Sequence, residues 1–111
     1  MLATANRLRS REDFQEVTRS GRRVRSNTLT GFILSTNRQE PARFGFQVSK
    51  RIGGSVQRHR VLRQLRHLTS PWVLKTPNST LVVIRPNTHS MTYQPEFDSL
   101  MEKLIERRRE R

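Results

Sequence analysis

Three kinds of side chain in this sequence could do chemistry. The first is histidine, at His59, His67 and His89. Imidazoles serve as general acids and bases or as metal ligands. His59 and His67 stand eight residues apart, about two turns on a helix, and no carboxylate lies near them in sequence. A metal site needs converging ligands, and the chain has no cysteine to supply a thiolate. The histidines therefore do not read as a nuclease centre. The second kind is the cation. The stretch FGFQVSKRIGGSVQRHRVLRQLRHL, Phe44 to Leu68, carries Lys50, Arg51, Arg58, Arg60, Arg63 and Arg66 and no acid. A guanidinium is a planar fork that binds phosphates and stacks on rings. The third kind is the phenyl ring, at Phe14, Phe32, Phe44 and Phe46. Such rings either stack on bases without reading sequence or pack in a core.

The charge pattern favours polyanion binding. Lys plus Arg total 22 against 9 acids, a formal net charge of +13. Only Lys50, Lys75 and Lys103 are lysines. Acids occur at Glu12, Asp13, Glu16 and Glu40 and then not until Glu96, while nine basic residues fall between Pro41 and Gln94. Excess charge of one sign destabilises a compact chain by self-repulsion. A nucleic acid is the first partner this implies, and an anionic membrane the second. The absence of cysteine fits a reducing compartment. MLATANRLRSRED has no apolar run of signal-peptide length. No stretch approaches the ~20 apolar residues of a membrane span. The expectation is a soluble cytoplasmic protein without membrane contact, with residues 1–111 forming one nucleic-acid-binding domain.

The elements that must hold these groups follow from periodicity. SREDFQEVTRSG reads as a helix capped by Ser10, with Glu12 and Asp13 in its first turn and Gly21 as its stop. Arg22 to Arg25 reads as a short strand. Thr28 to Leu34 reads as another, with Leu29 and Ile33 on one side and Thr30, Phe32 and Leu34 on the other. ARFGFQVS alternates, with Phe44, Phe46 and Val48 facing one way and Arg43, Gly45 and Gln47 the other. Joined by NRQEP, these two runs suggest a hairpin. RIGG ends the strand, and Ser55 can cap a helix over Val56 to Leu68. TLVVIRP is a nearly all-apolar strand, as expected for one covered on both faces. Pro95 can open a last helix. Its residues Phe97, Leu100, Met101, Leu104 and Ile105 recur at amphipathic spacing, with Arg107, Arg108 and Arg109 at its negative end. The expected fold class is α+β, a two-layer α–β sandwich with a four-stranded sheet in the order αβββαβα.

On a helical wheel, Val61, Leu62, Leu65 and Leu68 gather on one side of the middle helix. Arg60, Arg63 and His67 line the opposite side, flanked by His59 and Arg66, while Arg58 projects from the first turn. A solvated helix usually pairs its cations with glutamates four residues away. This one has none, so its cations repel each other unless anions lie between them. Carboxylates from the two ends of the chain folding over this ridge would remove the need for a partner. Trp72, in the loop after the helix, reads as a packing residue at the core edge.

RFGFQVSKRIGGSVQRHRVLRQLR resembles the signature of the protein subunit of bacterial ribonuclease P. Gly45, Phe46, Val48, Ser49, Lys50, Arg51, Gly53, Val56, Arg58, Arg60, Arg63 and Arg66 occupy that family's pattern. RLRSREDFQEVTRSGRRVRS resembles its opening, so the likeness spans Arg7 to Ile105. His59 stands where the family has asparagine, Leu62 where it has lysine, His67 where an acid or amide is common, and Thr18 where an aromatic is common.

The resemblance implies a partner and a task. The protein would bind ribonuclease P RNA, and that RNA would perform the magnesium-dependent cleavage of precursor tRNA. Lys50, Arg51, Arg58, His59, Arg60, Arg63, Arg66 and His67 would contact RNA. The 5' leader of the precursor would lie in a cleft between the basic helix and the sheet, lined by Phe14, Phe32, Arg22 and Arg25. No residue of the chain would be catalytic or bind metal, and one protein would serve one RNA. The resemblance also implies a left-handed β–α–β crossover, against the usual hand. On the residues alone, Phe14 and Phe32 read first as core packing, and the resemblance makes the cleft reading its equal. Arg22, Arg23 and Arg25 are equally readable as edge-strand charges. Two other functions share the charge: a ribosomal or RNA-chaperone module without a catalytic partner, and a DNA-binding regulator. The regulator has few base-reading side chains on its helix beyond Gln57 and Gln64.

Overall fold

In the computed structural model, residues 2–90 and 92–109 are described, without the side chains of 107–109, so the basic end of the last helix lies outside the described side chains. The chain runs α1 (Arg11–Ser20), β1 (Arg22–Arg25), β2 (Leu29–Ser35), β3 (Arg43–Phe46), α2 (Ser55–Thr69), β4 (Thr80–Pro86) and α3 (Gln94–Arg109). This is the expected order, with short 3-10 turns at Thr4–Asn6, Lys50–Ile52 and Ser70–Trp72.

The four strands form one mixed sheet in the order β1-β2-β4-β3. The tight antiparallel pair is β1 with β2, where Arg25 faces Thr30 and Arg22 faces Ile33. The expected hairpin of β2 with β3 does not form. Instead β4 lies between them, antiparallel to β2 and parallel to β3. The reason is burial. β4 is apolar at nearly every position, and six of its seven residues are buried, so the centre of the sheet suits it best. The Thr36 amide donates to the Ser79 carbonyl (2.7 Å) and the Ser79 amide to the Glu40 carbonyl (2.9 Å). These bonds fix the start of β4 inside the β2–β3 connection. The outer edge of β3 is covered by the N-terminal segment, where Arg7 bridges Phe44 and the Leu8 amide donates to the Phe44 carbonyl.

Alternation along β2 sorts the core as expected. Leu29 and Ile33, with Val24, Phe44, Val82 and Ile84, meet Val61 and Leu65 of α2 and Phe97, Leu100, Met101 and Leu104 of α3. Phe32, Leu81 and Val83 meet Val17 of α1 and Leu8 on the opposite face. The expected sandwich of sheet against helices thus carries α1 on the second face, where Val17 packs against Phe32, Leu81 and Val83. Trp72 is 9% exposed and joins the α3-side core. Its indole Nε1 donates to Asp98 at 2.9 Å, and Lys75 Nζ lies 4.9 Å from its ring centre.

Candidate nucleic-acid interface

The entry to α2 is built so that its cations face out. Ile52 is buried, which draws the turn Lys50–Ile52 onto the core and leaves Lys50 and Arg51 exposed. Gly53 has φ +147°, a conformation that side chains rarely adopt. Gly54, not Ser55, is the N-cap, and Ser55 is the first helical residue. The Gln57 side chain reaches back and accepts from the Gly54 amide at 3.2 Å, satisfying the N-cap's own donor, while the expected serine cap is not made.

Beyond this entry the ridge is open. His59, Arg60, Arg63 and His67 are exposed, while Arg58 and Arg66 are half-buried. Arg58 Nε is buried with no hydrogen-bond partner among the described residues. The ion pairs among the described residues engage Arg19 with Glu16, Arg38 with Asp13 and Glu40, and Arg43 with Glu40. None engages Lys50, Arg51, Arg58, Arg60, Arg63 or Arg66. Several acids are held elsewhere. Glu96 accepts from the Thr28 amide (3.1 Å) and hydroxyl, and Asp98 accepts from Trp72. The ridge therefore keeps its charge in the folded protein.

A cavity of about 250 Å³ lies beside the ridge at the β3 edge. Phe14 of α1 and Leu62 and Arg66 of α2 share it, with Leu8, Arg9 and Phe46. Gly45 makes this possible, since a Cβ there would fall 2.4 Å from Phe14 Cζ. The fold thus brings Phe14 and Arg66 together from opposite halves of the sequence. On its far flank α1 is held by Arg38, whose two terminal nitrogens meet the Asp13 carboxylate at 2.8 and 2.7 Å. That hydrogen-bonded pairing lowers the Asp13 carboxyl below its ordinary range.

The remaining cleft residues divide. Phe32 is 3% exposed and offers no open ring face. It is a floor beneath the guanidinium of Arg85, which stands 5.0 Å over its centre. Arg22 pairs with Ile33 and so points to the α3 side with its neighbour Val24, away from the cleft. Arg23 and Arg25, opposite Phe32 and Thr30, lie on the α1 face and are exposed. Sequence reasoning missed Arg85. Its signal was present as the one charge in β4, but only the β2–β4 pairing shows that it lies on the α1 face, in one row with Thr30 and Arg25. Among the described residues no three His, Cys, Asp or Glu side chains converge on one point. Magnesium favours an octahedron of oxygens, so these side chains build no cage for it.

The fold is thus an α+β protein with an unneutralised cationic helical ridge next to a cavity that Phe14 and Arg66 share. The family model described as ribonuclease P matches residues 2–108. The ribonuclease P protein component of Streptomyces avermitilis is 43% identical over 93 residues, covering 77% of this chain and 76% of that one. That of Beutenbergia cavernae is 38% identical over 101 residues, covering 88% and 85%. Among solved structures, a Staphylococcus aureus RNase P protein mutant with defective mRNA degradation activity superposes with a TM-score of 0.73 at 18% identity, covering 95% and 89%. The RNase P protein from Thermotoga maritima gives 0.67 at 19% identity, covering 91% and 96%. The chain belongs to the ribonuclease P protein family.

Proposed function

We propose that the chain is the protein subunit of a cytoplasmic ribonuclease P holoenzyme, one copy per catalytic RNA, that grips the 5' leader of precursor tRNA. The observation that carries this reading is the α2 ridge, whose exposed cations have no carboxylate partners among the described residues. Phosphates of the RNA subunit would lie along Lys50, Arg51, Arg60 and Arg63, with His59 and His67 at hydrogen-bonding range of the same backbone. Each contact releases condensed counterions, which supplies most of the affinity. The leader would leave the tRNA as an extended strand and pass Phe14 and Arg66 at the β3 edge. There ring stacking and charge hold a strand without reading it. Holding the substrate in one pose lowers the entropic barrier to cleavage. Magnesium, bound by RNA oxygens, would supply the activated water, and no side chain of this chain takes part in that step.

The test is reconstitution. Binding of precursor tRNA to the RNA subunit is measured with and without the protein, using substrates with a leader of several nucleotides or none. The protein is expected to tighten binding of the leader-bearing substrate selectively and to lower the magnesium needed for cleavage. Equal tightening of both substrates would reduce the protein to a general RNA-binding module.

A further inference from the structure

One row of the α2 ridge mixes fixed and titratable cations. His59, Arg63 and His67 recur every four residues and are all exposed. They therefore stand one above another on the outer face, about 6 Å apart along the helix axis. No hydrogen bond or ion pair among the described residues engages either imidazole, so their ring nitrogens are available. The charged groups around them are mostly cations. Arg58, Arg60 and Arg66 share the helix, Lys50 and Arg51 stand on the turn before it, and Lys75 follows it. Arg7 and Arg9 share the cavity of Leu62 and Arg66. From α3, Glu102 and Glu106 line the groove of Trp72, Leu74 and Lys75, and neither pairs with a histidine. Asp98 is held by Trp72. A guanidinium keeps its charge at every physiological pH, whereas an imidazole gains and loses charge near neutrality. A further proton on the free ridge adds to its self-repulsion. A phosphate laid along the row turns the same proton into an attraction.

We propose that this ridge binds its RNA with proton uptake: His59 and His67 each take a proton from solvent as phosphates settle along the row, so that affinity for the RNA subunit rises as the pH falls through the imidazole range. The inference rests on the reading of the ridge as the contact with the RNA subunit and adds its regulation. Each proton forms an N–H bond on one ring, and the resulting imidazolium donates to a phosphate oxygen in a charge-assisted hydrogen bond. Arg63 between the two rings supplies the charge that does not depend on pH. An amide at position 59 would donate at every pH and give no such dependence. Because each proton adds a cation to the contact, it also adds counterion release, and the salt dependence of binding becomes a function of pH.

The test measures binding of the full chain to the RNA subunit across a range of salt concentrations at about pH 6 and about pH 8, either side of the ordinary imidazole value. It compares wild type with His59→Asn, His67→Gln, the double variant, and His89→Asn in the β4–α3 loop away from the ridge. Wild type should bind several-fold more tightly at the lower pH. Its slope of log affinity against log salt should be steeper there by about one unit for each histidine. Each single ridge variant should remove part of both differences, and the double variant all of them. His89→Asn should behave as wild type. Calorimetry of wild type in two buffers of different ionisation enthalpy should read a net uptake of protons on binding. Equal affinity and slope at the two pH values would overturn the proton linkage while leaving the RNA contact of the ridge intact. So would a pH dependence that survives in the double variant or vanishes in His89→Asn. No binding of the RNA subunit at either pH would overturn the reading of the ridge itself.

Discussion

At the scale of single residues, charge and exposure separate the side chains that can meet RNA from those that support them. Arg60 and Arg63 are exposed on the ridge and unpaired among the described residues. Arg60→Ala and Arg63→Ala should each weaken RNA binding and reduce the slope of log affinity against log salt by about one unit, read from titrations at several salt concentrations. A weaker complex with an unchanged slope would contradict a phosphate contact. Arg22 provides the contrast. It lies on the α3 side of the sheet, so Arg22→Ala should leave leader affinity within error while Arg25→Ala, on the α1 face, lowers it. Their spacing of three already puts them on opposite faces of a strand, so they could not share one cleft wall; only the pairing with β2 shows that it is Arg25 that faces α1.

At the scale of elements, two joints hold the interface in place. Gly53 turns the chain from β3 into α2 at φ +147°, and a Cβ there would fall 1.8 Å from the Gln57 amide oxygen that caps the helix. Gly53→Ala should cost about 1–3 kcal/mol in denaturant unfolding, from backbone strain together with the lost cap. The second joint is the bidentate pair of Arg38 with Asp13, which ties α1 to the loop after β2. The paired carboxyl has its pKa lowered from 3.8 in the folded state, so its stabilising effect is full above that value and is lost as the pH falls through the folded pKa. Wild type should therefore exceed Asp13→Asn in stability by a constant amount near neutral pH, with the gap closing below about pH 4. A gap that persists in strong acid would mean that the carboxylate charge is not its source. At this scale the sequence was largely legible. The α1 cap at Ser10, the α3 spacing and the β2 alternation are local patterns. The β2–β3 pairing was not legible, because two adjacent strands in sequence say nothing about a third that starts only at Thr80, well after β3 ends at Phe46, and fits better between them.

For the molecule as a whole, the net charge of +13 leaves the free protein self-repelling. Its thermal midpoint should rise with added sulfate, which screens the ridge, and rise further with RNA. A cognate RNA at about 100 times its Kd adds about 2.7 kcal/mol, and the Arg60→Ala, Arg63→Ala double variant should forfeit much of that gain at the same RNA concentration. Calorimetry with and without RNA checks both. A midpoint indifferent to polyanions would mean that the cations are already balanced inside the fold.

The sequence by itself determined the one-signed ridge, the amphipathic faces and the family likeness, because charge and short-range periodicity are properties of neighbouring residues. Only the tertiary structure decided that β4 occupies the centre of the sheet, that Phe32 is covered and that Arg85 lies over it. Those outcomes depend on which apolar strand gains most from being buried on both faces. That comparison is made among distant segments competing for one core, and no local pattern contains it.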